Sequence, residues 1–166
     1  MLGEPEVIER AAQPYVAIRA HVTMETLGEV LPGLHPSVFA WLGQRGLPPA
    51  GAPFWKYNVI DMSRGLEVEV GVPVAAAVEG DNQVLAGVLP SGRYASLQYT
   101  GHPDGLFGAT ASLLKWAEER HLAWDVRPTP EGDQWGARLE IYETDPAVEP
   151  DMSKWTTQLA FRLAGQ

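Results

Sequence analysis

Apolar and polar positions alternate along several stretches of this chain, with longer helical periods between them. Leu66 to Val74 (LEVEVGVPV) keeps a two-residue period over most of its length, the mark of a strand with one buried face. Phe54 to Asp61 (FWKYNVID) precedes it across a turn at Ser63-Arg64-Gly65, so the two are predicted to form a hairpin. Tyr15 to Ala20 reads as an earlier strand, and Pro36 to Arg45 (PSVFAWLGQR) as a helix stopped by Gly46. A short helical turn over Met24 to Val30 fits in front of it, with Thr23 at its N-cap. The first half is therefore strand, helix, strand, strand.

The second half has the same order. Arg93 to Thr100 is a predicted strand, and Leu106 to His121 is a helix with Leu106, Ala109, Leu113, Trp116 and Ala117 along one stripe. Trp135 to Glu143 and Trp155 to Leu163 form the closing hairpin. FAWLGQRGL at 39–47 echoes LKWAEERHL at 114–122, and WKYNVID at 55–61 echoes EIYETD at 140–145. The pattern predicts an α+β fold made of duplicated strand-helix-strand-strand modules, about 6–75 and 84–164, in one domain. The stretch from Ala75 to Pro90 would link them, turning at Gly80-Asp81. Pseudo-two-fold symmetry would leave a cleft at the centre.

With both helices on one face of an antiparallel sheet, the alternation assigns faces. Leu66, Val68, Val70, Val72 and Val74 are expected to meet the helices, with Glu67, Glu69, Gly71 and Pro73 on the other side. In the last strand Thr157, Leu159, Phe161 and Leu163 face in, Gln158 and Ala160 out. Trp55, Tyr57, Glu140 and Tyr142 are assigned to the face away from the helices, which sends Lys56 toward them.

Composition narrows the function. The 166 residues include 45% hydrophobic and 20% charged side chains, enough for an ordinary core. The formal charge of -9, from 21 acidic and 12 basic residues, argues against direct nucleic-acid binding, which needs clustered Lys and Arg. There is no cysteine, so disulfides, thiolate metal sites and thiol nucleophiles are excluded. No run of 18 apolar residues occurs, and the N-terminal MLGEPEVIERAAQPY lacks a signal-peptide core, so a cytoplasmic protein is expected. His21, His35, His102 and His121 lack metal-ligand spacing, and TDPAVEPD at 144–151 matches no calcium loop. No nucleophile elbow, phosphate loop or dinucleotide fingerprint is present, and no cofactor is implied.

What remains is RLEIYETDP at 138–146, where Glu140 interrupts a strand-forming run. A mid-strand carboxylate with Tyr142 beside it, and Trp55 and Tyr57 on a second strand, suits a flat organic cation: charge meets charge and rings stack. Each cation–π contact adds about 0.5 to 2 kcal/mol. Glu69 is a further candidate, while Trp41 and Trp116 lie in helices and are assigned to core packing.

PYVAIRAHV, FAWLGQRGL, KYNVIDM with LEVEVGVPV, LPSGRYASLQYTG, LLKWAEER and WGARLEIYETDP with KWTTQLAFRL together resemble the gyrase-inhibitor-like effector-binding family, from about Glu6 to Leu163. The resemblance implies a ligand cleft between duplicated halves. It also implies binding of lipophilic cations by a buried Glu and aromatics, with Glu140 and Tyr142 matching the family's Glu-x-Tyr segment. Relatives include ligand domains of AraC-type and MerR-type transcription regulators, a gyrase-inhibiting protein, and stand-alone bacterial forms, some of which hydrolyse cyclopropane-bearing DNA alkylators. Many carry Glu where this chain has Gln158, and no helix-turn-helix segment is present here. The expected ligand-binding set is Trp55, Tyr57, Glu69, Glu140, Tyr142 and Gln158. If the chain is an enzyme, Glu140 would activate water and Tyr142 or Tyr57 would hydrogen-bond the carbonyl oxygen of a cyclopropane-bearing dienone as negative charge builds there. A third reading is an acidic protein that occupies gyrase by mimicking DNA; monomer and homodimer stay open.

Overall fold

The computed structural model describes residues 1–165. Among the described residues ten strands form one antiparallel sheet: β1 (Glu6–Arg10), β2 (Gln13–Val22), β3 (Phe54–Asp61), β4 (Gly65–Pro73), β5 (Leu85–Leu89), β6 (Gly92–Thr100), β7 (Val126–Thr129), β8 (Gly132–Trp135), β9 (Arg138–Tyr142) and β10 (Thr156–Arg162). The helices are α1 (Leu27–Val30), α2 (Leu34–Gln44) and α3 (Leu106–Glu119). Across the sheet the order is β1-β6-β10-β9-β3-β4-β2-β5, with the β7–β8 hairpin attached to the far half of β3. The mixed α+β class and both predicted long helices are present. The edge strands β1 and β5 and the β7–β8 hairpin were not anticipated.

Both long helices lie on one face. Val38, Trp41 and Leu42 of α2 pack on Val16, Val72 and Val74, and Ala109 and Leu113 of α3 pack on Leu97, Leu159 and Phe161. This is the side expected for the alternating residues of β4 and β10. The linker is tied down by Asp81, which accepts hydrogen bonds from the Trp41 indole (2.9 Å), the Arg45 guanidinium (3.0 Å) and two backbone amides. Those bonds, the Trp41 indole first, hold its carboxyl at about 2.

The phase of β3 and β9 differs from expectation. Directly paired residues of antiparallel strands point to the same side. Trp55 is opposite Val70, Tyr57 opposite Val68, and Glu140 opposite Leu159, so Trp55, Tyr57, Glu140 and Tyr142 share the helix-bearing face. Lys56 is opposite Glu69 and lies on the other side, where its Nζ donates to Asn58 Oδ1. The opposite face is no bare surface, because the curled sheet buries Tyr15, Phe54, Tyr94, Leu139 and Ile141 there in a second core.

Phe54 fits that core because Gly71 lies opposite it. A Cβ at Gly71 would meet the Phe54 ring at 2.6 and 2.8 Å. Gly71→Ala is expected to destabilise the fold by about 1 to 3 kcal/mol through overpacking, read as a lowered urea midpoint at unchanged slope. An unchanged midpoint would mean that the Phe54 ring is free to move aside.

Candidate functional site

The central strands β3 and β9 meet between the positions of the two long helices, and their register sets the floor of a trough. Trp55 pairs with Glu140, and Phe54 and Lys56 pair with Ile141 and Leu139 on the reverse face. Along β9, Arg138, Glu140 and Tyr142 point into the trough at every second position. His35, in the first turn of α2, comes down from above onto Trp55 and Tyr142.

Aromatic geometry holds this group together. The Trp55 and Tyr142 rings meet edge to face at 5.2 Å, His35 stacks near-parallel to Trp55 at 6.2 Å, and His35 meets Tyr142 edge to face at 6.0 Å. Trp55 Nε1 donates to His35 Nε2 at 2.8 Å. An indole has only a donor to offer, so Nε2 must be the unprotonated nitrogen and Nδ1 must carry the proton of a neutral ring. Nδ1 is buried without a hydrogen-bond partner. Burial accordingly lowers the imidazole pKa to about 4.

Glu140 is the charge centre. Tyr142 donates its hydroxyl to Glu140 Oε1 at 2.6 Å, and Tyr57 hydrogen-bonds to the same carboxylate. Burial raises the Glu140 pKa above its ordinary value; the two phenols and the nearby Arg138 oppose that rise without cancelling it. Both phenols are pushed upward, by burial and then by the adjacent carboxylate, so they remain donors. Glu140, Trp55, Tyr57 and Tyr142 all keep partial solvent exposure, so the trough opens to the surface.

Two expected members lie elsewhere. Glu69 is on the reverse face, 3% exposed, accepting from Tyr15 (2.5 Å) and Asn58 (2.6 Å) with Arg19 at 3.5 Å. Its partners are internal, so it holds the sheet rather than the trough. Gln158 is also on the reverse face, donating to Ser96 in a polar groove of about 230 Å³ shared with Glu4, Glu6 and Glu143. A larger cleft of about 820 Å³ lies between His21, Glu67 and the β7–β8 hairpin, away from Glu140. It collects no aromatic walls and its arginines are already engaged, Arg64 by Asp61 and Arg127 by Gln134. We therefore place the candidate site in the chemically convergent trough around Glu140. Sequence reasoning passed over His35 and Arg138. Nothing in the histidine spacing marks His35, but Arg138 stands two residues before Glu140, where strand alternation puts it on the same face.

A family model described as the GyrI-like small molecule binding domain matches residues 3–163. The chain belongs to the GyrI-like small-molecule-binding family. Solved GyrI-like neighbours share the fold at low identity. The EcmrR C-terminal domain superposes with TM-score 0.71 at 15% identity over 98% of each chain. SAV2435 bound to tetraphenylphosphonium gives 0.59 at 13%, over 98% of this chain and 95% of that one. A hydrolase from Listeria innocua gives 0.65 at 14%, over 97% and 92%. Against EcmrR in its DNA complex the GyrI-like chain matches 58% of the larger protein. Identities this low carry the fold alone. Among curated proteins none matches this sequence.

Keeping His35 neutral has a pH signature. Its folded pKa lies below the ordinary 6.5, so the unfolded chain binds the extra proton between the two values. The stability tied to the neutral ring is complete above about pH 6.5 and is lost as pH falls toward about 4. Glu140, with a raised pKa, has the opposite slope: its contribution is present below its ordinary value and lost as pH rises through the folded one. In urea unfolding at pH 7 and 4.5, His35→Phe is expected to lose less stability on acidification than the parent. An equal loss in both proteins would show that His35 is solvated.

Proposed function

We propose that this GyrI-like chain binds planar, lipophilic, positively charged molecules in the trough between α2 and α3. Glu140 supplies the counter-charge, and Trp55, Tyr57 and Tyr142 supply the walls, with His35 as a lid side chain. The observation that carries this reading is the Glu140 carboxylate, enclosed by rings and held by two phenols, on the floor of a trough that still opens to solvent. A flat cation would stack on Trp55 and approach a carboxylate already stripped of most of its water, where cation–π attraction is strongest. The tetraphenylphosphonium bound by SAV2435 is a lipophilic cation held by a protein of the same fold.

The strand order supports a duplicated architecture for the site. Reading outward from the β3–β9 junction, β3-β4-β2 on one side mirrors β9-β10-β6 on the other, and each half contributes one long helix. We take residues 6–75 and 84–164 as the two modules, with the trough on the pseudo-two-fold between them.

A hydrolytic reading rests on the same side chains. Glu140 would take a proton from water as the water oxygen bonds to a cyclopropane carbon; the ring C–C bond would break, its electron pair would pass through the fused dienone to the carbonyl oxygen, and Tyr142 or Tyr57 would hydrogen-bond that oxygen as charge develops. Both hydroxyls point at Glu140 itself, which is the arrangement of a counter-charge held ready and favours binding over turnover.

Tryptophan quenching by a planar cationic dye tests the proposal. Glu140→Gln is expected to weaken binding by about 10-fold or more, and affinity in the parent should decline with falling pH as Glu140 takes up its proton. Equal affinity of Glu140→Gln and parent would remove the counter-charge role. Mass spectrometry of a dye or a cyclopropane-bearing alkylator after incubation separates the readings: unchanged ligand means a binder, a water adduct formed over many turnovers means a hydrolase.

A further inference from the structure

The trough has a second charge. Arg138 lies on β9 two residues from Glu140, directly opposite Phe161, and on the same face. Its guanidinium is stacked against Trp135 at 4.6 Å and Phe161 at 4.7 Å from the ring centroids. Such stacking fixes the plane of the group but uses none of its five N–H donors. Among the described residues no hydrogen bond or ion pair within 4 Å engages it. The other arginines with acidic neighbours contrast with it: Arg19, Arg45, Arg64 and Arg162 each pair with a carboxylate at 4.0 Å or less. Among the described residues Arg10 and Arg120 also stack on rings without a carboxylate within 4 Å; Arg138 stands apart from them in lying two residues along β9 from Glu140.

We propose that Arg138 is the anion-recognising end of the trough, so that the preferred ligand is bipolar: a flat aromatic cation that also carries a carboxylate or comparable anionic group. Two residues along a strand span about 6.5 Å. That is the separation, at the level of the backbone, between the origins of the Glu140 and Arg138 side chains. A rigid aromatic frame with a cationic centre at one end and a carboxylate at the other bridges them without folding. Its carboxylate would meet the guanidinium edge in the bidentate geometry that arginine favours.

The surroundings support this division. Burial lowers the Arg138 pKa, while Tyr57, Glu140 and Asp133 act in the opposite direction. The charge is therefore under a desolvation penalty that its neighbours offset in part, and an anionic group brought by a ligand would relieve it. Arg138 also discourages a simple cation, since its charge stands close to the Glu140 carboxylate that such a cation would seek. A bipolar ligand turns that repulsion into attraction.

This inference rests on the trough being the binding site, and a matched pair of dyes separates the two ideas. Rhodamine B carries a delocalised cation and a free carboxylate; its ethyl ester keeps the cation and loses the anion. The parent protein is expected to bind rhodamine B more tightly than the ester, by tryptophan quenching and by fluorescence anisotropy. Arg138→Gln should weaken rhodamine B by about 10- to 100-fold, the range for a charge-assisted hydrogen-bonded pair, and leave the ester unchanged or tighter. Arg138→Lys, which keeps the charge without the planar fork, should retain part of the preference. Tighter binding of the ester by the parent, or an acid-to-ester ratio that Arg138→Gln leaves unaltered, overturns the proposal. Loss of ester binding in Glu140→Gln upholds the trough independently of Arg138. Failure of both dyes to bind the parent removes both ideas.

Discussion

The pairing of β3 with β9 governs everything else in this molecule. It is a short ladder, Phe54 to Lys56 against Leu139 to Ile141, at the midpoint of the sheet. Because strand side chains alternate, that register decides which residues look toward the helices and which look into the reverse core. A slip by one residue would turn Glu140 into the apolar cluster of Tyr15, Phe54 and Tyr94 and push Leu139 or Ile141 into the trough. The register is defended on the reverse side, where Phe54 sits on Gly71 and Leu139 and Ile141 are buried. The packing of one face thus positions the chemistry of the other.

Two mid-strand carboxylates, one buried and one half-buried, show how different surroundings assign different roles. Glu69 is enclosed by Tyr15, Asn58 and Arg19, and its oxygens are spoken for by groups that other strands anchor. Removing it would leave a phenol and an amide without their acceptor, a structural loss. Glu140 has two phenols and the nearby Arg138 guanidinium, which makes no ion pair with it within 4 Å, and solvent is still in reach. Partly compensated charge near water is what a ligand can complete. The contrast lies in partners, since both residues are mid-strand glutamates with apolar neighbours in the chain.

Much of the fold was legible in the sequence because its signals were local. LEVEVGVPV shows its buried face directly, and the stripe of α3 is visible from Leu106 to Ala117. The phase of β3 was not legible. FWKYNVID carries large apolar residues on both faces, so alternation alone does not say which side is covered, and the bulge at Asn58 disturbs the period further. The assumption that a polar, aromatic face must point away from the helices then inverted it. Glu140, Tyr142, Trp55 and Tyr57 were still found as a set, because alternation groups residues correctly even when the side is misassigned. Glu69 was grouped with them through that same inversion, and Gln158 through the family pattern. The β7–β8 hairpin escaped notice because VRPT and GDQW are short and polar, with Pro128 inside the first. His35 reaches the site through the placement of α2, a tertiary fact with no local signature.

The outermost strands carry a further consequence. β1 precedes β2 in the chain, yet it closes the sheet beside β6; β5 follows β4, yet it lies beyond β2. Each end of the sheet is therefore sealed by a strand that belongs, in sequence, to the neighbourhood of the other end. Neither half presents a finished edge until the remote segment arrives, and an unfinished edge invites mispairing. The chain behaves as a clasp with two interlocked tongues. The β1–β6 pairing joins residues as many as ninety positions apart (Glu6 with Ser96), a long-range contact of the kind that slows folding and ties the two ends of the sheet together.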